Sequence, residues 1–271
     1  MADALADAGL GLGEATAVVG TSAGAAVAAS VLGGTTSEQA LAEVLRPPPP
    51  EERRAYLAEV RDHNRRRSWL PAQPGLLSHL VPGSGGVGVA WAGLSPAGIF
   101  PSDSLTRFPG LAVHDQWPET LRVVAVRLSD GARVVFGRDR TDVTVTTAVR
   151  ASQSVPLMFS PTPVGDERFV DGAVRSSTHA DLVLDTDCDL AVVIAPMCRR
   201  GGGAARALAR SAAREELLAL RAAGVRTIAI RPGPDAEHLF RGYRTDPAAP
   251  ARMVDAGRRL VTNALRDAGI A

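Results

Sequence analysis

The sequence predicts an α/β fold of three layers around a mainly parallel central sheet. Apolar, β-rich runs alternate along the chain with helical stretches, the pattern of layered α/β proteins. One of those runs, Leu190 to Ile194, is apolar without interruption, as a buried parallel strand is, and Val225 to Ile230 follows as another buried strand. Near the start, Ala15 to Val19 runs into Gly20-Thr21-Ser22-Ala23-Gly24 and then the small residues Ala25 to Ala29, which reads as strand, sharp turn, helix.

The elements follow in order. Ala2 to Ala8 is the tail of a helix that Gly9 ends. Gly9, Gly11 and Gly13 alternate with Leu10 and Leu12; because a helix precedes them and a strand follows, they form a turn and not a phosphate-cradling loop. After the Ser22 helix, Ser37 caps a helix to about Leu45, which Pro47 to Pro50 stop. Glu51 to Arg66 is a charged helix ending in Arg65-Arg66-Arg67, a basic cluster suited to a solvated helix end or to anionic lipid headgroups. Residues 68–102 are rich in Gly, Pro and Ser yet carry Trp69, Trp91, Ile99 and Phe100, the composition of a lid or an irregular insert.

Leu121 to Arg127 and Ala132 to Phe136 flank Asp130-Gly131, a strong hairpin signal. Val143 to Ser154 is helical until Pro156. Arg168 to Val170 makes a short strand that delivers Asp171-Gly172. Gly201 to Gly203 lead into a helix from Ala204 to Ala223, and Ala248 to Ala268 closes the chain as a helix ended by Gly269.

Composition narrows the function. A chain of 271 residues with 45% hydrophobic and 22% charged residues is an ordinary globular protein, long enough for one large domain or two small ones. A net charge of +1 gives no reason to expect nucleic acid. The chain has no lysine, which removes that residue as a base or Schiff-base former. Cys188 and Cys198 suit neither a disulfide framework nor a metal spacing. With no leader pattern and no apolar stretch near the ~20 residues that span a bilayer, the expected location is cytoplasmic, at most peripheral at a membrane. No metal or organic cofactor is implied.

The chemistry centres on Ser22. A serine in G-x-S-x-G between strand and helix is lifted above the sheet's carboxyl edge, with the first helix amides and dipole aimed at a reacting carbonyl. Gly20 and Gly24 are expected to prevent a collision where strand meets helix, and the Ala23 amide is a candidate oxyanion donor. Such a hydroxyl needs a base. The candidates are His63, His79, His114, His179 and His238, or a carboxylate. Ser22, Asp171 and His238 satisfy the α/β-hydrolase order formally, but only some twenty residues precede Ser22, too few for the strands that come before that elbow. Asp171 is the stronger candidate: it follows a strand, and no return strand follows Gly172-Ala173 to make it a hairpin turn, although a plain turn remains an alternative.

These pieces resemble the bacterial patatin-like phospholipases. The resemblance rests on Gly20-Thr21-Ser22-Ala23-Gly24, on Asp171-Gly172-Ala173, and on Ala151-Ser152-Gln153-Ser154-Val155-Pro156 with Phe159-Ser160-Pro161 between them, and covers roughly residues 1–195. It implies a single patatin-like domain over 1–271, within which the Gly/Pro-rich segment at about 68–102 is the candidate lid, and hydrolysis of phospholipid or lysophospholipid acyl esters by a Ser22–Asp171 dyad, with Gly172 in support. The implied partner is a lipid or small acyl ester. Acyl transfer, or an inactive lipid-binding homologue, are the alternatives. The family also implies a first strand and glycine-rich oxyanion loop ahead of the first helix, whereas this chain begins inside what reads as that helix. The expected consequence is an incomplete oxyanion hole and an exposed edge on the Ser22 strand; an upstream start explains it better than degeneration, because Ser22 and Asp171 both remain.

Overall fold

The structure is a computed structural model that describes residues 1–46, 48–80, 86–107, 116–199, 203–233 and 249–270. Pro47, Gly201 and Gly202, to which stops and loops were assigned, lie outside these, as do His114 and His238. The chain forms two compact units, Val18–Arg175 and Met1–Ala17 with Ser176–Ala271.

The Val18–Arg175 unit is built on a five-stranded sheet. Its centre is β2 (Leu121–Arg127), which pairs parallel with β1 (Val18–Thr21) and antiparallel with both β3 (Arg133–Phe136) and β5 (Glu167–Asp171); β4 (Thr162–Val164) pairs antiparallel with β5. Side chains alternate across β2. Leu121, Val123 and Ala125 meet α2 (Ala23–Leu32) and α6 (Val145–Ser152) on one face, while Val126 and Leu128 meet Leu76 and α5 (Val87–Leu94) on the other. Burying both faces is what makes β2 nearly all apolar.

The expectation of a mainly parallel sheet is corrected here. The sheet is mixed, and only the β1–β2 pair within it is parallel. Two tight turns decide two of its three antiparallel pairs, because a connection of a few residues can join only antiparallel neighbours. The first is the expected hairpin at Asp130-Gly131: Asp130 Oδ1 accepts from Ala132 N at 3.0 Å, Arg127 grips the Asp130 carboxylate, and Gly131 takes φ 71°. The second is Gly165-Asp166 between β4 and β5. Pro163 is tolerated because β4 is an edge strand.

Local signals elsewhere place elements within a few residues. The helix expected at Ser37 is α3 (Ser37–Leu45), but its cap is Thr36, whose Oγ1 accepts from Gln39 N while Gln39 Oε1 accepts from Thr36 N, a complete capping box. The charged helix is α4 (Pro50–Arg66). Residues 68–102 are less irregular than expected, since α5 lies within them. Gly88 and Gly93 weaken its helical signal, yet each abuts backbone, Val174 O and Gln73 O, where a side chain has no room.

In the other unit, β6 (Leu190–Ile194) and β7 (Arg226–Ile230) pair in parallel, joined by α7 (Gly203–Ala222) as the two apolar runs predicted. Helix α7 covers one face of this pair, and α1 (Ala2–Ala6) with α8 (Ala249–Asp267) packs on the other through Leu5, Val261 and Leu265. Among the described residues no helix is long and apolar enough to cross a membrane.

Candidate active site

Ser22 stands between β1 and α2, half-buried, with φ 55° and ψ −126°. A serine is held in that unfavourable conformation only where its surroundings over-determine it. Two contacts do so. Gly20 lets the helix fold back on the strand, since a Cβ there would lie 2.5 Å from Ala25 Cα. Ser22 N donates to Ser152 Oγ at 2.9 Å, and Ser152 Oγ donates to Val124 O at 2.6 Å, tying the turn to β2 through a fully buried hydroxyl. The collision expected at Gly24 does not arise: a Cβ there meets nothing within 4 Å, and Ala23 and Gly24 are exposed at the start of α2. Their amides belong to the first turn, which has no intrahelical acceptor.

Asp171 ends β5 and is 1% exposed. Its Oδ1 accepts from Ala173 N at 2.8 Å, capping a short turn, and its own N donates to Ser154 O at 3.0 Å. Asp171 Oδ2 is buried and meets no donor in full hydrogen-bond geometry. Burial pushes the carboxyl up to about 6, and the favourable interactions with the Ser22 side chain and the Ala173 amide recover only part of that cost.

Strand register brings the two residues to one place. Thr21 pairs with Val124 and Asp171 pairs with Ala125, while β3 pairs with Val123 to Val126. Because β3 overlaps both, it must occupy one edge of β2, leaving β1 and β5 end to end along the other. They run toward each other, so Thr21 and Asp171 occupy consecutive positions on that edge. Gly172 makes the junction possible: a Cβ there would lie 2.7 Å from Val124 O and 3.0 Å from Thr21 Cγ2. Among the described residues β1 has no strand on its other edge.

A comparison with protein-family models matches residues 7–184, well over half of the chain, to the patatin-like phospholipases. The chain belongs to that family. The match spans Ser22, Asp171 and the whole of the unit that holds them. No curated protein matches it significantly. Family membership brings a lipid-related substrate class to this patatin-like protein, and two of its three described histidines stand in other contacts: His63 Nε2 with Gly98 O and His79 Nε2 with Asp130 O.

Two features were not anticipated from the sequence. Ser152 and Ser154, which prop Ser22 and Asp171, lie in the Ala151–Pro156 stretch that carried the resemblance, and that was their only signal. In the other unit, ligand atoms of His179, Asp181 and Glu216 lie within 4.8 Å of one another, a grouping able to hold a metal ion where none was expected. Its carboxylates also tie the chain: Glu216 Oε2 accepts from Thr178 Oγ1 at 2.5 Å and Ala180 N at 2.8 Å, and burial, then nearby Asp181, raise the Glu216 pKa against these hydrogen bonds. Residues so far apart in sequence give no spacing signal.

Proposed function

We propose that this patatin-like protein is a serine acyl hydrolase that cleaves fatty acyl esters of phospholipids or lysophospholipids, with Ser22 as nucleophile and Asp171 as base. The observation that carries the reading is the register of β2, which sets the residue before Ser22 and Asp171 side by side on one edge. The raised Asp171 pKa supports it, because a carboxylate near its ordinary value of 3.8 is too weak a base for a serine hydroxyl.

In this mechanism Asp171 takes the hydroxyl proton as Ser22 Oγ bonds to the ester carbonyl carbon. The carbonyl oxygen gains the negative charge and is met by the Ala23 amide and the positive end of α2. As the carbon–oxygen bond to the alcohol breaks, Asp171 returns the proton to the leaving alkoxide, giving an acyl-enzyme. Asp171 then takes a proton from water, whose oxygen attacks the acyl carbon, and Ser22 recovers the proton as it leaves with the fatty acid free. In the same reading 1–271 works as one domain, with 68–102 beside the acyl chain.

The test is hydrolysis of a p-nitrophenyl ester and covalent labelling by a fluorophosphonate. Ser22→Ala should abolish both, and Asp171→Asn should abolish turnover in a folded protein. Labelling that persists in Ser22→Ala, or wild-type turnover in Asp171→Asn, rejects the assignment.

A further inference from the structure

The Val18–Arg175 unit carries an apolar surface that the dyad does not use. Trp69 is 71% exposed and Leu70 74%, and Ile99, Leu157 and Met158 are exposed as well. Backbone and side-chain hydrogen bonds knit these positions together. Ile99 N donates to Leu157 O and Phe100 N to Met158 O, Asn64 Nδ2 donates to Ile99 O, and Arg67 Nη1 donates to Ala97 O while its guanidinium stacks 3.7 Å over the Trp69 ring. The residues therefore form one surface around the C-terminal end of α4.

Two further observations bear on what meets that surface. Arg65 and Arg66 are exposed at the same helix end, Arg66 also pairing with the exposed Asp62 at 3.1 Å, so apolar tips stand beside guanidinium groups, with a tryptophan at the border. That combination complements anionic headgroups above acyl chains. Leu157 keeps an exposed apolar side chain at φ 67°, a conformation costly for leucine that the Ile99 N to Leu157 O and Phe159 N to Val155 O hydrogen bonds hold in place. Leu157 also stands only a few residues after Ser152 and Ser154, the two serines that brace Ser22 and Asp171.

We propose that Trp69, Leu70, Ile99, Leu157 and Met158, with Arg65 and Arg66 at their border, dock the protein on an anionic phospholipid bilayer so that lipid reaches Ser22 from the membrane surface. The proposal rests on the hydrolase reading for its substrate, but the docking is measurable without turnover.

The experiment is vesicle sedimentation of the full chain with phosphatidylcholine alone or mixed with phosphatidylglycerol, alongside p-nitrophenyl ester hydrolysis. Binding should require the anionic lipid and weaken with salt. Arg65→Gln with Arg66→Gln should cost about thirtyfold in vesicle affinity with soluble-ester turnover unchanged, and Trp69→Ala with Leu70→Ala about tenfold in vesicle affinity. Equal binding to neutral and anionic vesicles, variants that bind like the parent, or a lipid-free dimer formed through this face would each overturn it. Vesicle binding that survives in Ser22→Ala while ester turnover is lost separates the docking from the chemistry.

Discussion

Replacing Asp171 by asparagine should stabilise the protein at high pH and progressively less as pH falls. Burial raises the folded-state pKa from 3.8 to about 6, so the folded protein resists ionising this carboxyl. The contribution to stability is full below pH 3.8, where both states are protonated, and is lost as pH rises through about 6. A shift of that size corresponds to about 3 kcal/mol at pH 8 and about half of it at pH 5. Asparagine can keep the acceptor for the Ala173 amide and never carries the charge. The stability gap between Asp171→Asn and wild type should therefore shrink by roughly half of that ~3 kcal/mol between pH 8 and pH 5, whatever constant offset the new amide group adds. Every other titrating group is shared by the two proteins and cancels. Urea unfolding followed by Trp117, which packs against the core of the same unit, reads this gap directly. A gap that stays flat across that range, or widens toward low pH, would refute a buried, raised Asp171.

Other outcomes follow from the same geometry. In the proposed mechanism Asp171 must be ionised to accept the Ser22 proton, so ester turnover should rise with pH through about 6 and plateau above it, and a pH–rate profile checks this. Gly20→Ala should destabilise by more than about 2 kcal/mol because it meets Ala25 backbone, while Gly24→Ala should be neutral or stabilising by up to about 1 kcal/mol, as thermal melts will show. Ser152→Ala leaves the Ser22 amide and Val124 carbonyl without their partner, and should cost about 1–3 kcal/mol and lower kcat more than it raises KM. Glu216→Ala should cost a similar ~1–3 kcal/mol and speed hydrogen exchange at the Ala180 amide, with Glu216→Gln milder because an acceptor remains.

The sequence by itself determined what is local. Strand, turn and helix around Ser22, the Asp130-Gly131 hairpin, the short strand ending at Asp171 and the two apolar strands of the other unit all follow from side-chain periodicity and turn chemistry, which act over a few residues. Resemblance then named Asp171 where residue chemistry alone left histidine and plain-turn alternatives open. Tertiary structure decided what no short window contains. Strand direction went against the parallel expectation because helix–strand alternation does not say which connections are crossovers, and the three-residue edge strand β4 is too short to show a period of its own. Helix α5 was masked by glycines whose need appears only when Val174 and Gln73 are brought against them. The site itself is the clearest case. Ser22 and Asp171 lie far apart in the chain, and Thr21, the residue before Ser22, stands beside Asp171 because β1 and β5 share one edge of β2, with Ser152 bracing the Ser22 turn. Which edge a strand takes is set by contacts between distant segments, and a local pattern carries no record of it.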